Sequence, residues 1–207
     1  MNKRISTLAV LAFTVFGFAQ AAQANQIVNG DFSAGLTGWT ASGNVFSIPE
    51  VAYAFCCSTA NAQVGVNVAG FGSGDGPDDG ILSQGFATTS GQAYTLSFKY
   101  GAIVGNNPQS ILVTLNGTTL NLSIPIIDST STNDFNTVFS TYTFGFVADA
   151  ANTTLSFADT STITGSVDAV LTDVSVVAVP EPLTLSLFGA GLVGAAALRR
   201  RKKAKSA

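Results

Sequence analysis

A period of two, repeated in short bursts, constrains this chain more than any other feature. In Tyr94-Thr95-Leu96-Ser97-Phe98-Lys99-Tyr100, the residues Tyr94, Leu96, Phe98 and Tyr100 fall on one side of an extended backbone, and Thr95, Ser97 and Lys99 on the other. One side is core and one is wet. Runs of comparable length occur at 45–48, 51–55, 63–68, 81–86, 111–115, 118–122, 141–146, 153–158 and 167–177, separated by clusters of Gly, Pro, Asn, Asp and Ser. No window between residues 25 and 178 sustains a 3.6-residue period, so helices are expected to be few or absent. The expectation is an all-β sandwich. Asn116-Gly117, set between Ile111–Leu115 and Thr118–Leu122, predicts a hairpin closed by a two-residue type I′ turn, which needs positive φ at both positions.

The two ends of the chain obey different rules. Lys3 and Arg4 precede an apolar stretch from Leu8 to Phe18 that is too short for an ordinary span, and Ala22-Gln23-Ala24 supplies a small-x-small cleavage site. Residues 1–24 therefore read as a signal peptide for signal peptidase and the general secretion machinery. At the other end, Val179-Pro180-Glu181-Pro182 leads into an apolar run at 183–198 and then Arg199, Arg200, Arg201, Lys202 and Lys203. As a helix the run is about 24 Å long, short of a hydrocarbon core of about 30 Å, and snorkelling side chains with local thinning close the gap. It reads as a single short C-terminal transmembrane helix, with the basic tail at 199–207 as a cytoplasmic stop and residues 25–178 outside. The prolines prevent the helix from extending backwards, which leaves the tetrad as an extended tether.

Charge separates the same three regions. Of nine basic residues the stretch 25–178 keeps only Lys99, whereas eleven of the twelve acids lie there, giving 1 − 11, or about −10. Such a surface lacks the clustered cations that phosphate binding requires, which argues against nucleic acid as a partner. The chain has no His, so Ser-His-Asp and Cys-His chemistry is excluded. A carboxylate pair of the glycosidase kind is the remaining enzymatic option, but Glu50 is the only Glu of the stretch and no hydrolase motif accompanies it.

Two resemblances follow from quoted residues. The order of tetrad, apolar run and basic stop resembles the PEP-CTERM sorting signal of exported bacterial proteins. That resemblance implies exosortase as a partner, transient anchoring in the inner membrane, and removal of the tail near Pro180, Glu181 and Pro182. Further upstream, Asn29-Gly30-Asp31-Phe32 with Gly35 and Gly38-Trp39, then 81–89 with 91–98, then Leu171-Thr172-Asp173-Val174-Ser175-Val176, resemble in order the motifs of carbohydrate-binding-module-like, galactose-binding-like jelly rolls. A jelly-roll-like sandwich is what this implies. Ser33 and Thr172 depart from the pattern, standing where many relatives carry Glu and Asp. In calcium-binding members those positions lie where the first and last strands meet around a cation, so Asp31 with Asp168 or Asp173 marks one calcium candidate here.

Other constellations are weighed on the residues alone. The loop 72–80 gathers Asp75, Asp78 and Asp79, oxygen ligands of the sort calcium takes, against the plainer reading of a solvated turn. Cys56 and Cys57 are adjacent in an exported stretch; a vicinal disulfide, a bridge to another molecule and two free thiols all stay open. Trp39 is expected in the core more than on a sugar-stacking platform, and Tyr53, Phe71 and Tyr100 are expected in the core or at its rim. The sequons at Asn116, Asn121 and Asn152 are expected by chance in a Ser- and Thr-rich chain. The functional expectation is a noncatalytic, exported protein of the cell surface or extracellular polysaccharide matrix, with a glycan-specific binding module as the alternative and a polysaccharide-acting enzyme third.

Overall fold

A computed structural model describes residues 23–49, 66–72, 79–102, 108–128, 139–162, 169–180 and 191. The expected signal peptide through Ala22, the run at 51–55, Cys56, Cys57, Asp75, Asp78, Asp168, Glu181, Pro182 and the expected basic stop lie outside the described residues. Gly191 is the sole described residue past 180 and is helical. Among the described residues no helix is long and apolar enough to cross a membrane.

Among the described residues ten strands run in chain order as β1 Thr40–Ser42, β2 Val45–Ile48, β3 Val68–Phe71, β4 Ile81–Ala87, β5 Ala93–Ala102, β6 Gln109–Asn116, β7 Asn121–Asp128, β8 Ser140–Val147, β9 Asn152–Asp159 and β10 Ala169–Ala178. They form two five-stranded antiparallel sheets, ordered β1-β4-β9-β6-β7 and β2-β3-β10-β5-β8. The alternation in β5 is realised as expected: Tyr94, Leu96, Phe98 and Tyr100 are buried. Facing them from the first sheet are Leu82, Phe86, Val113, Leu115, Leu155 and Phe157. Phe98 meets Phe157 edge to face at 5.2 Å, an arrangement that suits the ring quadrupoles and joins the two layers at their centre. Each such side chain removed from water contributes about 1.5–3 kcal/mol.

The segment before β1 is held by side chains rather than by a ladder. Asn29, at φ 52°, donates through Nδ2 to the carbonyls of Gly35 and Thr37 and accepts at Oδ1 from the Ala34 amide. Trp39 Nε1 donates to the Asn29 carbonyl at 3.1 Å, and its indole packs on Phe32 and Phe157. Trp39, Phe71 and Tyr100 are thus core, as expected. Gly30 has a packing reason: a Cβ there would sit 1.9 Å from the Val174 carbonyl oxygen, while Val174 N–H donates to the Gly30 carbonyl at 2.9 Å. The opening motif therefore ties the first segment to the last strand.

Two local expectations need correction. The 116–117 hairpin exists, but Asn116 pairs with Asn121, so the loop is the four residues 117–120 rather than two. Neither Asn116 nor Gly117 adopts positive φ. The physical reason is Asp149, whose carboxylate accepts from the amides of Thr118 (3.0 Å), Thr119 and Leu120 (2.6 Å) and from Thr119 Oγ1 (2.6 Å). Four donors converging on a distant acid outweigh the local turn preference. The strand expected to end at Leu122 also continues to Asp128 through Pro125. β7 is an edge strand with a partner on one side only, and there a missing N–H is tolerated.

Candidate functional site

The two sheets present outer faces of different character. On the first sheet, register aligns Thr40, Ser83, Ser156, Thr114 and Ser123, one from each strand, into a continuous row of hydroxyls. At about 4.8 Å per strand the row is about 19 Å long. A parallel row holds Gly85, Thr154, Asn116 and Asn121, and on the other flank lies an apolar row of Ile81, Ala158, Leu112 and Pro125. Gly85 is exposed, and a Cβ there would meet nothing within 4 Å. No described outward side chain of this sheet carries a charge.

These residues point outward because their neighbours in sequence are held in the core. Leu82 and Phe86 bracket Ser83 and Gly85; Leu155 and Phe157 bracket Ser156; Val113 and Leu115 bracket Thr114. Gln84 is buried in the same inward register and fixes the first segment, accepting from Val28 N–H at 2.8 Å and donating to the carbonyls of Val28 and Gly38 at 3.0 Å. The face is thereby rigidly supported from behind. Hydroxyls and amides each both donate and accept, whereas the flanking aliphatic row can cover C–H surface. A chain of sugar rings, with hydroxyl edges and C–H faces, offers the complementary pattern.

On the other sheet β8 leaves Thr141, Thr143 and Gly145 exposed on the outer side, whereas around β3 and β10 that side is covered. Val68 and Val170 are fully buried there, with Ile48, Val66 and Phe139 packed against them, and the Phe46 ring lies over Gly70. Thr172 is buried and donates through Oγ1 to the Asn67 carbonyl at 2.8 Å. Lys99, the lone cation of the stretch 25–178, pairs with Asp173 at 2.8 Å, beside a register shift between Thr172 and Ser175 where Asp173 adopts φ 53°.

The acids expected near calcium are placed as follows. Asp31 Oδ1 accepts from the amide and hydroxyl of Ser33, Asp173 is engaged by Lys99, and Asp79 accepts from Asn44 N–H at 2.9 Å. Among the described residues no three of His, Cys, Asp and Glu come together. Of the described acids, Asp149 is held well below the usual carboxylate range, chiefly by the Thr119 hydroxyl, then by the Thr119, Leu120 and Thr118 amides, against a smaller opposing cost of desolvation. Asp159 is buried at the end of β9 and is satisfied by the amide and hydroxyl of Ser161. The hydroxyl row itself escaped sequence reading. Its signal was present in the polar members of each alternating run, but only the strand order brings them side by side.

Of the sorting signal, Val179 and Pro180 are exposed and follow directly on β10. Ala24 lies at the exposed start of the described chain, one residue before Asn25 bridges to Val177.

A two-sheet sandwich with one outer face partly covered and the other an uncharged field of hydroxyls and amides beside an aliphatic row defines a jelly-roll β-sandwich of the binding-module class. Residues 24–162, well over half of the chain, match the carbohydrate binding domain family, and the chain belongs to that family. Residues 178–202 match the PEP-CTERM protein-sorting motif, which marks an exported protein, anchored in the membrane as a precursor and processed by exosortase. TmCBM61, solved in complex with beta-1,4-galactotriose, is 14% identical, with a TM-score of 0.54 over 75% of this chain and 99% of that one. The CBM22-1 xylan-binding domain of Paenibacillus barcinonensis Xyn10C is 14% identical, with a TM-score of 0.50 over 79% and 100%. At that identity both speak to the fold. Among curated proteins none matches the chain.

Proposed function

We propose that the protein is a noncatalytic glycan-binding module which sorting delivers to the cell surface or the extracellular polysaccharide, and that it grips a neutral polysaccharide across the outer face of the β1-β4-β9-β6-β7 sheet. The observation that carries this reading is the unbroken row Thr40, Ser83, Ser156, Thr114 and Ser123 beside an aliphatic row, free of charge in a stretch of about −10 overall. A charged glycan would find no counter-ion on this face, and an anionic one would meet the net negative field of the domain. Neutral chains meet neither penalty. The family match and the fold support the reading; the absence of His and the engagement of Asp149 and Asp159 in structural hydrogen bonds support the noncatalytic part.

Affinity electrophoresis of the purified ectodomain in gels of neutral and acidic polysaccharides tests it. Saturable retardation by a neutral polysaccharide, lost when Ser156 and Thr114 are both replaced by Glu, is the expected outcome. Uniform migration in every gel would return the protein to the role of passive matrix constituent, and release of reducing ends would make it an enzyme.

A further inference from the structure

The sorting motif does not begin beyond the fold; it begins inside it. The matched segment starts at Ala178, the last residue of β10, which pairs with Tyr94. Val179 then extends the ladder by one position, its N–H donating to the Ala93 carbonyl at 2.8 Å. The Gln92 side chain completes a clasp: its Nε2 donates to the Val179 carbonyl at 2.7 Å and to the same Ala93 carbonyl at 2.9 Å. Gln92 is itself fixed, since its N–H donates to the Thr89 carbonyl and its carbonyl accepts from Ala148 N–H, each at 3.0 Å.

The consequence lies in the main chain available to a processing enzyme. Proline has no N–H, so in Val179-Pro180-Glu181-Pro182 only Val179 and Glu181 carry one, and that of Val179 is committed to the sandwich together with its carbonyl. An enzyme that reads an extended peptide through its backbone cannot use a residue whose two polar groups are already paired.

We propose that the Gln92 clasp is a brake on tail removal, a contact by which the folded ectodomain withholds Val179 from the processing enzyme until the clasp opens. The proposal rests on the sorting reading. The clasp borders an open, polar depression of about 290 Å³ lined by Gln23, Gln26, Thr88, Thr89, Gln92 and Tyr94, so it is reachable from outside and can open without disturbing the core. Gln92 acts on the position of Val179, not on the bond that is broken.

Pulse-labelling of the full chain in its host, with the ratio of full-length to shortened protein followed over time, tests the brake. Gln92→Ala and Gln92→Glu each remove the donor to Val179, and each should shorten the precursor about fivefold faster, the population change that one hydrogen bond of ordinary net worth controls. Gln26→Ala, on the same depression but without a bond to Val179, should keep the wild-type rate. Protease resistance of the released domain checks folding. Should the Gln92 variants fail that check, insertion of Gly-Ser-Gly-Ser between Ala178 and Val179 carries the intact tetrad off the clasp and should accelerate shortening equally. Unchanged or slower shortening in folded variants overturns the brake and leaves the sorting reading standing. A wild-type chain that is never shortened overturns both.

Discussion

The outer faces of the two sheets are built by the same alternation, yet one is covered over part of its width and the other is not. On the β2-β3-β10-β5-β8 sheet the outward Val68, Gly70, Val170 and Thr172 are buried, Thr141 and Thr143 of β8 stay exposed, and the lone cation of the ectodomain forms an ion pair beside a bulge. On the β1-β4-β9-β6-β7 sheet the outward positions are Ser, Thr, Asn and Gly with a flanking aliphatic row, half-buried to exposed and uncharged. The covered part adds to stability; the uncharged face is the one proposed to bind. A sandwich of this length can afford that division because its interior aromatic core already supplies the burial a single domain needs.

The sharpest way to break the comparison is one substitution made on both faces. Val170→Asp places an unpaired carboxylate at a fully buried position and should cost about 3 kcal/mol or more, whereas Ser156→Asp should shift stability by less than about 0.5 kcal/mol. Urea titration of the released ectodomain measures both, and equal costs would erase the distinction. Next in size is binding. Ser156→Glu combined with Thr114→Glu should weaken retention by a neutral polysaccharide by about tenfold or more, a loss of about 1.4 kcal/mol, whereas Thr143→Glu on the opposite face should leave it unchanged.

A smaller effect concerns the loop beside the open face. Asp149 has its folded pKa depressed, so its contribution is present above the ordinary carboxylate value near 3.8 and is lost as pH falls through the folded value. The stability gap between wild type and Asp149→Asn should therefore be constant near neutrality and should narrow below about pH 3.8. A gap that widens on acidification would mean the carboxylate is not the group that holds residues 117–120. Smallest of all is Lys99→Met. The ion pair with Asp173 is exposed at 38% and 51%, so its removal should change stability by less than about 1 kcal/mol and should reduce the dependence of the melting temperature on salt.

How much of this was legible in the residues depends on the range of the interaction. β4, β5, β6, β8 and β9 lie where period and turn signals put them, because alternation is a local property. The 116–117 turn was misread because a carboxylate some thirty residues away determines its length. Of the run expected at 63–68 the described part, 66–68, enters β3 only at Val68, and β1 had no signal at all: Thr40-Ala41-Ser42 is a strand only because β4 offers it a partner. The opening motif was recognised by resemblance, but the work of Asn29 as a hub and the contact between Gly30 and Val174 required the last strand to be in place. For the same reason no binding residue could be named beforehand, since a row across five strands has no expression along the chain.

Sequence alone determined that the protein is exported, sorted through its C-terminal signal, all-β and poor in cations, because charge, hydropathy and period-two patterning are set residue by residue. Tertiary structure decided which part of the surface is covered, where the hydroxyls line up, and that Val179 belongs to both the fold and the sorting signal. Those outcomes depend on strand order and register, which are fixed only when residues far apart in sequence pack around a common core.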